Sequence, residues 1–220
     1  REARELAKSE RLLSRIRGHL HLAAGRREDR LVFDLQNAVA DRLGIGPERG
    51  KRASEMLMQR YYRAAKAILQ ISSLLLANLE PRLFPSTASH PSATPRPINE
   101  DFQEVYGLLD MRDDNLFARH PPAILESFLV LQQHPELRGM TARTMRALWN
   151  NRDHIDSEFR QNPEHRALFL SILQQPRGIV HGLRLMNNLG ILGRVLPVFR
   201  RIVGQMQHDL FHVYTVDQHI

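Results

Sequence analysis

The densest group of potential metal ligands lies at the end of the sequence, where three histidines and two aspartates fall within twelve residues. These are His208, Asp209, His212, Asp217 and His219. Neutral imidazole and carboxylate groups are the usual protein ligands of manganese, iron and zinc. The group therefore fits a metal site. The same residues also suit a polar helix start, at which the histidines only form caps or hydrogen bonds.

A second set of chemically useful side chains lies on a long predicted helix. Arg60, Arg63 and Lys66 are spaced by three residues, which places them on one helical face. Such cations could bind the phosphates of a nucleotide, and a solvated polar stripe is the alternative. Three further arginines are weaker candidates for the same role: Arg15, Arg17 and Arg30.

The basic composition leaves two classes of protein open. The net charge is +7, with 28 arginines against 3 lysines, so the chain could attract nucleic acid or nucleotide phosphates. However, the arginines are spread along the chain and alternate with acids, which favours a salt-bridged helical surface. A basic helical scaffold that binds nucleic acid or a protein partner is the alternative class. We do not expect nucleic acid as the partner, because clustered cations and interleaved aromatic residues are missing.

Several sites are excluded by missing residues. There is no glycine-rich phosphate loop, and no two aspartates are separated by one residue, so paired carboxylates of a nucleotidyltransferase metal site are missing. The absence of cysteine excludes disulfides and thiolate metal sites. The apolar runs are too short to cross a membrane, and no signal peptide is visible. We therefore expect a cytoplasmic protein without a membrane partner.

The spacing of apolar residues predicts a mainly α fold. Residues 1–84 contain three predicted helices, at 3–24, at 31–43 and from Lys51 onward, joined by short loops into a helical bundle. The third helix carries a heptad-like seam of apolar residues, which suits packing against antiparallel neighbours. It consists of Leu57, Tyr61, Ala64, Ile68, Ile71 and Leu75.

The second half is predicted to be a separate region. Residues 85–97 are rich in proline and read as a linker, and residues 98–204 as a hairpin followed by a helical connector. The hairpin strands are 102–106 and 108–111, hinged at Gly107. Further helices are expected after Pro121-Pro122, with Thr141 as an N-cap, from Pro163, and at 178–188 and 190–203 with a break at Pro197.

Residues 205–220 resemble the start of the HD domain, a metal-dependent phosphohydrolase-like domain, in the bacterial bifunctional PII uridylyltransferase/uridylyl-removing enzymes. The matching run is Gln-Met-Gln-His-Asp-Leu-Phe-His-x-Tyr-Thr-Val-Asp-x-His. Weaker matches extend the resemblance over nearly the whole chain, including 15–22, 30–36, 58–63, 96–99 and 168–173. The related glutamine synthetase adenylyltransferase has no HD domain, so the match at 205–220 favours the uridylyltransferase family.

The resemblance implies an internal segment of a longer enzyme, from the helical region after the nucleotidyltransferase core to the first HD helix. Such an enzyme transfers UMP from UTP to a tyrosine of the PII signal protein, and removes it hydrolytically in response to glutamine. It would use Mg²⁺ or Mn²⁺. We expect the first bundle to lie beside the transferase site and the second region to couple the two activities.

The resemblance also assigns His219, and not His208, to the first metal ligand of the HD domain. The family's His-Asp pair and its final aspartate would lie after Ile220, so His208-Asp209 only looks like that motif. A single imidazole cannot assemble a metal site. We therefore expect no complete catalytic site and no tightly bound metal in this chain.

Overall fold

The computed structural model describes residues 2–48, 50–83 and 94–204, with residues 77–83 described by their backbone alone. The chain divides into two compact units. Within the described residues, the first comprises 2–72 and 201–204, and the second comprises 73–200. None of the helices in the described residues is long and apolar enough to span a membrane.

Three helices build the first unit: α1 (Glu2–Ala24), α2 (Phe33–Arg42) and the start of α3 (Ala53–Leu83). Each contributes apolar side chains to one small core, namely Ile16, Leu20, Val39, Ala40 and Leu57, with Ile45 from the loop after α2. The sequence predicted this bundle because the apolar positions repeat at helical spacing. Gly44, with φ +67°, ends α2 as expected.

The predicted seam of α3 is followed as far as Ile71, which is buried. Beyond it, Leu75 is exposed and Leu74 is buried instead. The boundary between the units falls at residues 72 and 73, so the packing environment of α3 changes at this point. The extension of the seam to Leu75 was therefore wrong.

The second unit contains a small antiparallel sheet in the order β1-β2-β3, formed by Arg96–Pro97, Phe102–Val105 and Leu108–Met111. The predicted hairpin is confirmed: Tyr106 and Gly107 have φ of 54° and 75°, which is typical of a two-residue turn of type I′. Strand β1, which precedes the hairpin, was not predicted. It takes the last two residues of the proposed linker, and Pro97 fits an edge strand because proline cannot donate a ladder hydrogen bond. Linker residues 85–93 lie outside the described residues.

After the sheet the chain is helical, and α6 packs against β3. The helices are α4 (Leu116–Arg119), α5 (Ala123–Gln133), α6 (Ala142–Asn151), α7 (Ser157–Gln161), α8 (Pro163–Leu173), α9 (Ile179–Asn188), α10 (Leu192–Val195) and α11 (Pro197–Ile202), whose last two residues belong to the first unit. The Thr141 hydroxyl accepts a hydrogen bond from the Thr144 amide and caps α6, as predicted. The core is large and includes Phe102, Phe117, Phe128, Leu148 and Trp149. The mainly α fold is confirmed.

Candidate functional site

The predicted cations of α3 lie on a continuous helix, with Arg60 and Arg63 exposed and Lys66 half-buried. The same turns also carry the buried Leu57, Met58 and Ala64. Arg60 makes no hydrogen bond or ion pair within the described residues. Its guanidinium is therefore available to an anionic ligand such as a phosphate.

Arg63 has a different environment, because its Nε donates a hydrogen bond to the carbonyl oxygen of Val203 at 3.2 Å. The buried Gln59, one turn earlier, donates from Nε2 to the carbonyls of Arg201 at 3.0 Å and Val203 at 3.3 Å. Both side chains belong to the first unit together with residues 201–204. They hold the backbone of residues 201–203 against α3.

A tyrosine pair stands between these residues on α3. The rings of Tyr61 and Tyr62 meet edge to face with centroids 5.3 Å apart. Burial, and to a smaller extent the neighbouring Tyr61, raises the pKa of the Tyr62 phenol. Tyr62 therefore stays protonated at neutral pH and can act as a hydrogen-bond donor.

The weaker arginine candidates differ in how they are paired. Arg17 donates to both carboxylate oxygens of Asp29, at 2.7 Å from Nε and 3.3 Å from Nη2. That hydrogen bond is the main cause that lowers the pKa of Asp29. Arg15 and Arg30 are exposed. Arg17 is therefore already neutralised, whereas the other two remain candidates.

His219 and its neighbours His208, Asp209, His212 and Asp217 lie outside the described residues. The role of His219 as a metal ligand stays a prediction.

A group of possible ligands that the sequence did not reveal lies in the second unit. One ligand atom each from Asp101, His120 and Glu126 falls within 4.8 Å of the others. The three residues span 26 positions and come from three elements, so no local motif announces them. The packing that places the β1–β2 turn, α4 and α5 side by side brings them together.

Two family models match the chain. The model of the GlnD PII-uridylyltransferase matches residues 1–76, and that of the third domain of uridylyltransferase GlnD matches residues 102–195, wholly within the second unit. The chain belongs to the uridylyltransferase GlnD family. No solved structure matches it.

Curated relatives in this family align with nearly the entire chain. Proteins named bifunctional uridylyltransferase/uridylyl-removing enzyme are 56% identical in Bordetella avium, over 99% of this chain, and 58% identical in Aromatoleum aromaticum, over 100% of it. The relative in Cupriavidus pinatubonensis is 56% identical over 100% of the chain. In each case the chain spans 25% of the relative's length. The family resemblance predicted from residues 205–220 is confirmed.

Proposed function

We propose that this chain is the helical connecting part of a bifunctional enzyme that attaches UMP from UTP to the PII protein and removes it again. The observation that carries the proposal is the pair of GlnD family matches, together with relatives named for both activities. We further propose that glutamine shifts the balance between the two reactions and that the enzyme works in the cytoplasm, where its nucleotide substrate is found.

Within this enzyme, we propose that the first unit contributes to the surface beside the transferase site. Arg60 is the strongest candidate for a contact to the triphosphate, because it is exposed and unpaired within the described residues. Arg63 holds the backbone at Val203 and would act on the following HD domain through residues 205–220. Lys66 is half-buried, so we rank it below Arg60 as a phosphate contact.

The Mg²⁺ or Mn²⁺ ion of the transferase would neutralise the triphosphate and activate the attacking hydroxyl. The sequence lacks aspartates separated by one residue, and α3 presents cations on the face in question, so these residues do not fit that ion. We propose that it is bound by parts of the longer enzyme outside this chain. For the hydrolase, we propose that His219 supplies one ligand.

The proposal is tested on the longer enzyme that contains this chain, by following transfer of labelled UMP from UTP to purified PII. Arg60→Ala should raise the KM for UTP by up to about fivefold, because an exposed charge contact contributes up to roughly 1 kcal/mol. Arg42→Ala, an exposed arginine on α2, is the matched control and should leave KM unchanged.

The same assay separates the parts of the proposal. Enzyme that fails to label PII at all would contradict the assigned activity. An unchanged KM for both Arg60→Ala and Lys66→Ala would reject only the nucleotide contact. Arg63→Ala should lower the rate of UMP removal more than it raises the KM for UTP, since Arg63 contacts the backbone before the HD segment.

The second candidate function is a scaffold that binds nucleic acid, favoured by the net charge of +7 and the exposed arginines. A salt-dependent shift of labelled RNA or DNA by the purified chain would support it, because neutralised phosphates release counterions. We expect no shift at physiological salt.

A further inference from the structure

Three elements of the second unit converge on one point of its surface. Asp101 lies in the turn between β1 and β2, His120 directly follows α4, and Glu126 is in the first turn of α5. One carboxylate or imidazole atom of each lies within 4.8 Å of the others. The cluster belongs to residues 101–126.

The backbone holds each member of the cluster in place. The amide of Asp101 donates to Oδ1 of Asn99 at 3.0 Å, and its carbonyl accepts the amide of Arg112 at 2.9 Å. The His120 amide donates to the carbonyl of Leu116 at 2.7 Å and closes α4. Glu126 lies inside a regular helix. Since all three backbones are fixed, only side-chain rotations are needed to bring the ligand atoms together.

The spacing fits a metal ion of the zinc class. His120 Nε2 lies 3.4 Å from Glu126 Oε1, which is long for a hydrogen bond. Two ligands of a tetrahedral zinc ion at about 2.1 Å are separated by roughly 3.4 Å. The Asp101 carboxylate, although half-buried, makes no hydrogen bond or ion pair within the described residues, so its oxygens remain available.

A neighbouring pair in the same unit shows the contrast. His134 Nδ1 lies 2.9 Å from Glu136 Oε1, and Arg96 Nη2 approaches the same oxygen at 3.9 Å. There the third group is a cation, so the carboxylate is neutralised by the protein itself. At His120 and Glu126 the third group is a second carboxylate, whose negative charge adds to the first and favours a bound cation.

We propose that Asp101, His120 and Glu126 bind a divalent transition metal, for which Zn²⁺ is the natural probe. An imidazole and two carboxylates suit Zn²⁺, Co²⁺ or Mn²⁺, whereas Mg²⁺ prefers oxygen ligands alone. His120 is exposed, so water completes the coordination. A bound ion links the β1–β2 turn to α4 and α5 and stabilises the second unit.

The test uses the purified full chain after chelation, with titration of Zn²⁺ by calorimetry and of Co²⁺ by visible absorption. To exclude binding at 208–219, the reference chain for all measurements carries His208→Ala, His212→Ala and His219→Ala. We expect one Zn²⁺ per chain. Asp101→Asn, His120→Gln and Glu126→Gln should each weaken binding by at least about tenfold.

His134→Gln is the matched control, since it removes the imidazole of the pair that contacts Arg96, and it should leave the Zn²⁺ affinity unchanged. Zn²⁺ should also raise the melting temperature of the reference chain but not that of its His120→Gln variant. Circular dichroism of the metal-free variants verifies their fold. Equal Zn²⁺ affinity in the reference chain, Asp101→Asn and His120→Gln would overturn the site. Binding of Mg²⁺ as tight as that of Zn²⁺ would overturn it as well.

Discussion

The two units differ in the kind of polar group that they bury. In the described residues of the first unit the buried polar side chains are neutral, as at Gln59, and the arginines proposed for function stand on the surface. In the second, a carboxylate lies inside: Asp110 on β3 is 6% exposed. It accepts hydrogen bonds from Thr141, Thr144, Arg143 and Gln103, at 2.5, 3.1, 2.8 and 3.2 Å.

This difference indicates where substitutions separate function from stability. Exposed arginines of the first unit can be replaced at small cost, because exposed charges contribute little to folding. The buried polar groups of the second unit join β3 to the start of α6, so their loss disturbs the whole unit. The cluster of Asp101, His120 and Glu126 is the exception, because its members lie nearer the surface and do not belong to the hydrogen-bond network of Asp110.

Asp110→Ala is the change with the largest expected effect. It leaves two threonine hydroxyls and the Gln103 amide without their acceptor and removes a partner of Arg143. We expect a loss of about 2–4 kcal/mol in the free energy of unfolding of the second unit. Urea denaturation monitored through Trp149, which is buried in that unit, measures this loss.

Asp114→Ala is the matched control for Asp110→Ala. Asp114 also pairs with Arg143, at 2.6 Å, but its side chain is 76% exposed. Its removal should cost less than about 1 kcal/mol. Equal losses for both substitutions would contradict the claim that burial makes the Asp110 network structural.

Gly204→Ala tests the first unit at its last described residue. Gly204 has φ +71°, and a Cβ there would lie 3.1 Å from the Gln59 carbonyl oxygen. The positive φ and the close backbone together should cost about 1–3 kcal/mol, limited by local opening of residues 201–204. Hydrogen exchange at residues 201–203 is the measurement, and it should become faster.

Gly25→Ala provides the comparison for that experiment. Gly25 has φ +66° but open space where its Cβ would lie. It should show only the backbone cost, about 1 kcal/mol. If Gly204→Ala leaves exchange at 201–203 unchanged, the contact between this segment and α3 does not hold the backbone as described.

Local patterns explain what the sequence could predict. The hairpin follows from alternating apolar residues and Gly107, and the cap at Thr141 follows from a residue next to its helix. The helices of both units follow from apolar spacing. All these features depend on neighbours within a few positions, which a single sequence displays directly.

The parts that could not be predicted depend on distant partners. Asp110 finds its hydroxyl and guanidinium donors 31 to 34 positions away, and Arg63 finds Val203 140 positions away. The metal ligands at Asp101, His120 and Glu126 similarly depend on how β2 and α5 are placed by packing. Arg63 was predicted as a phosphate ligand from its spacing on α3, and its hydrogen bond to the Val203 carbonyl could not be foreseen from that spacing.

The smallest expected effect is at Asp29 in the first unit. Its pKa is lowered mainly by the hydrogen bond from Arg17, so the ion pair stabilises the fold only while Asp29 is ionised. Because the folded pKa lies below the unfolded one, the stabilisation is complete above the unfolded pKa of about 3.9. It is lost as the pH falls through the folded pKa. Asp29→Asn should therefore lower the melting temperature at pH 6, and by less at pH 2.

The measurement is a double-mutant cycle of Asp29→Asn and Arg17→Gln, followed by thermal denaturation between pH 2 and pH 7. The coupling between the two sites should also decrease at high salt, because both side chains are more than half exposed. A coupling that is the same at pH 2 and pH 6 would mean that packing, and not charge, joins α1 to the following loop. In that event the charge of this exposed pair would contribute nothing to the stability of the first unit.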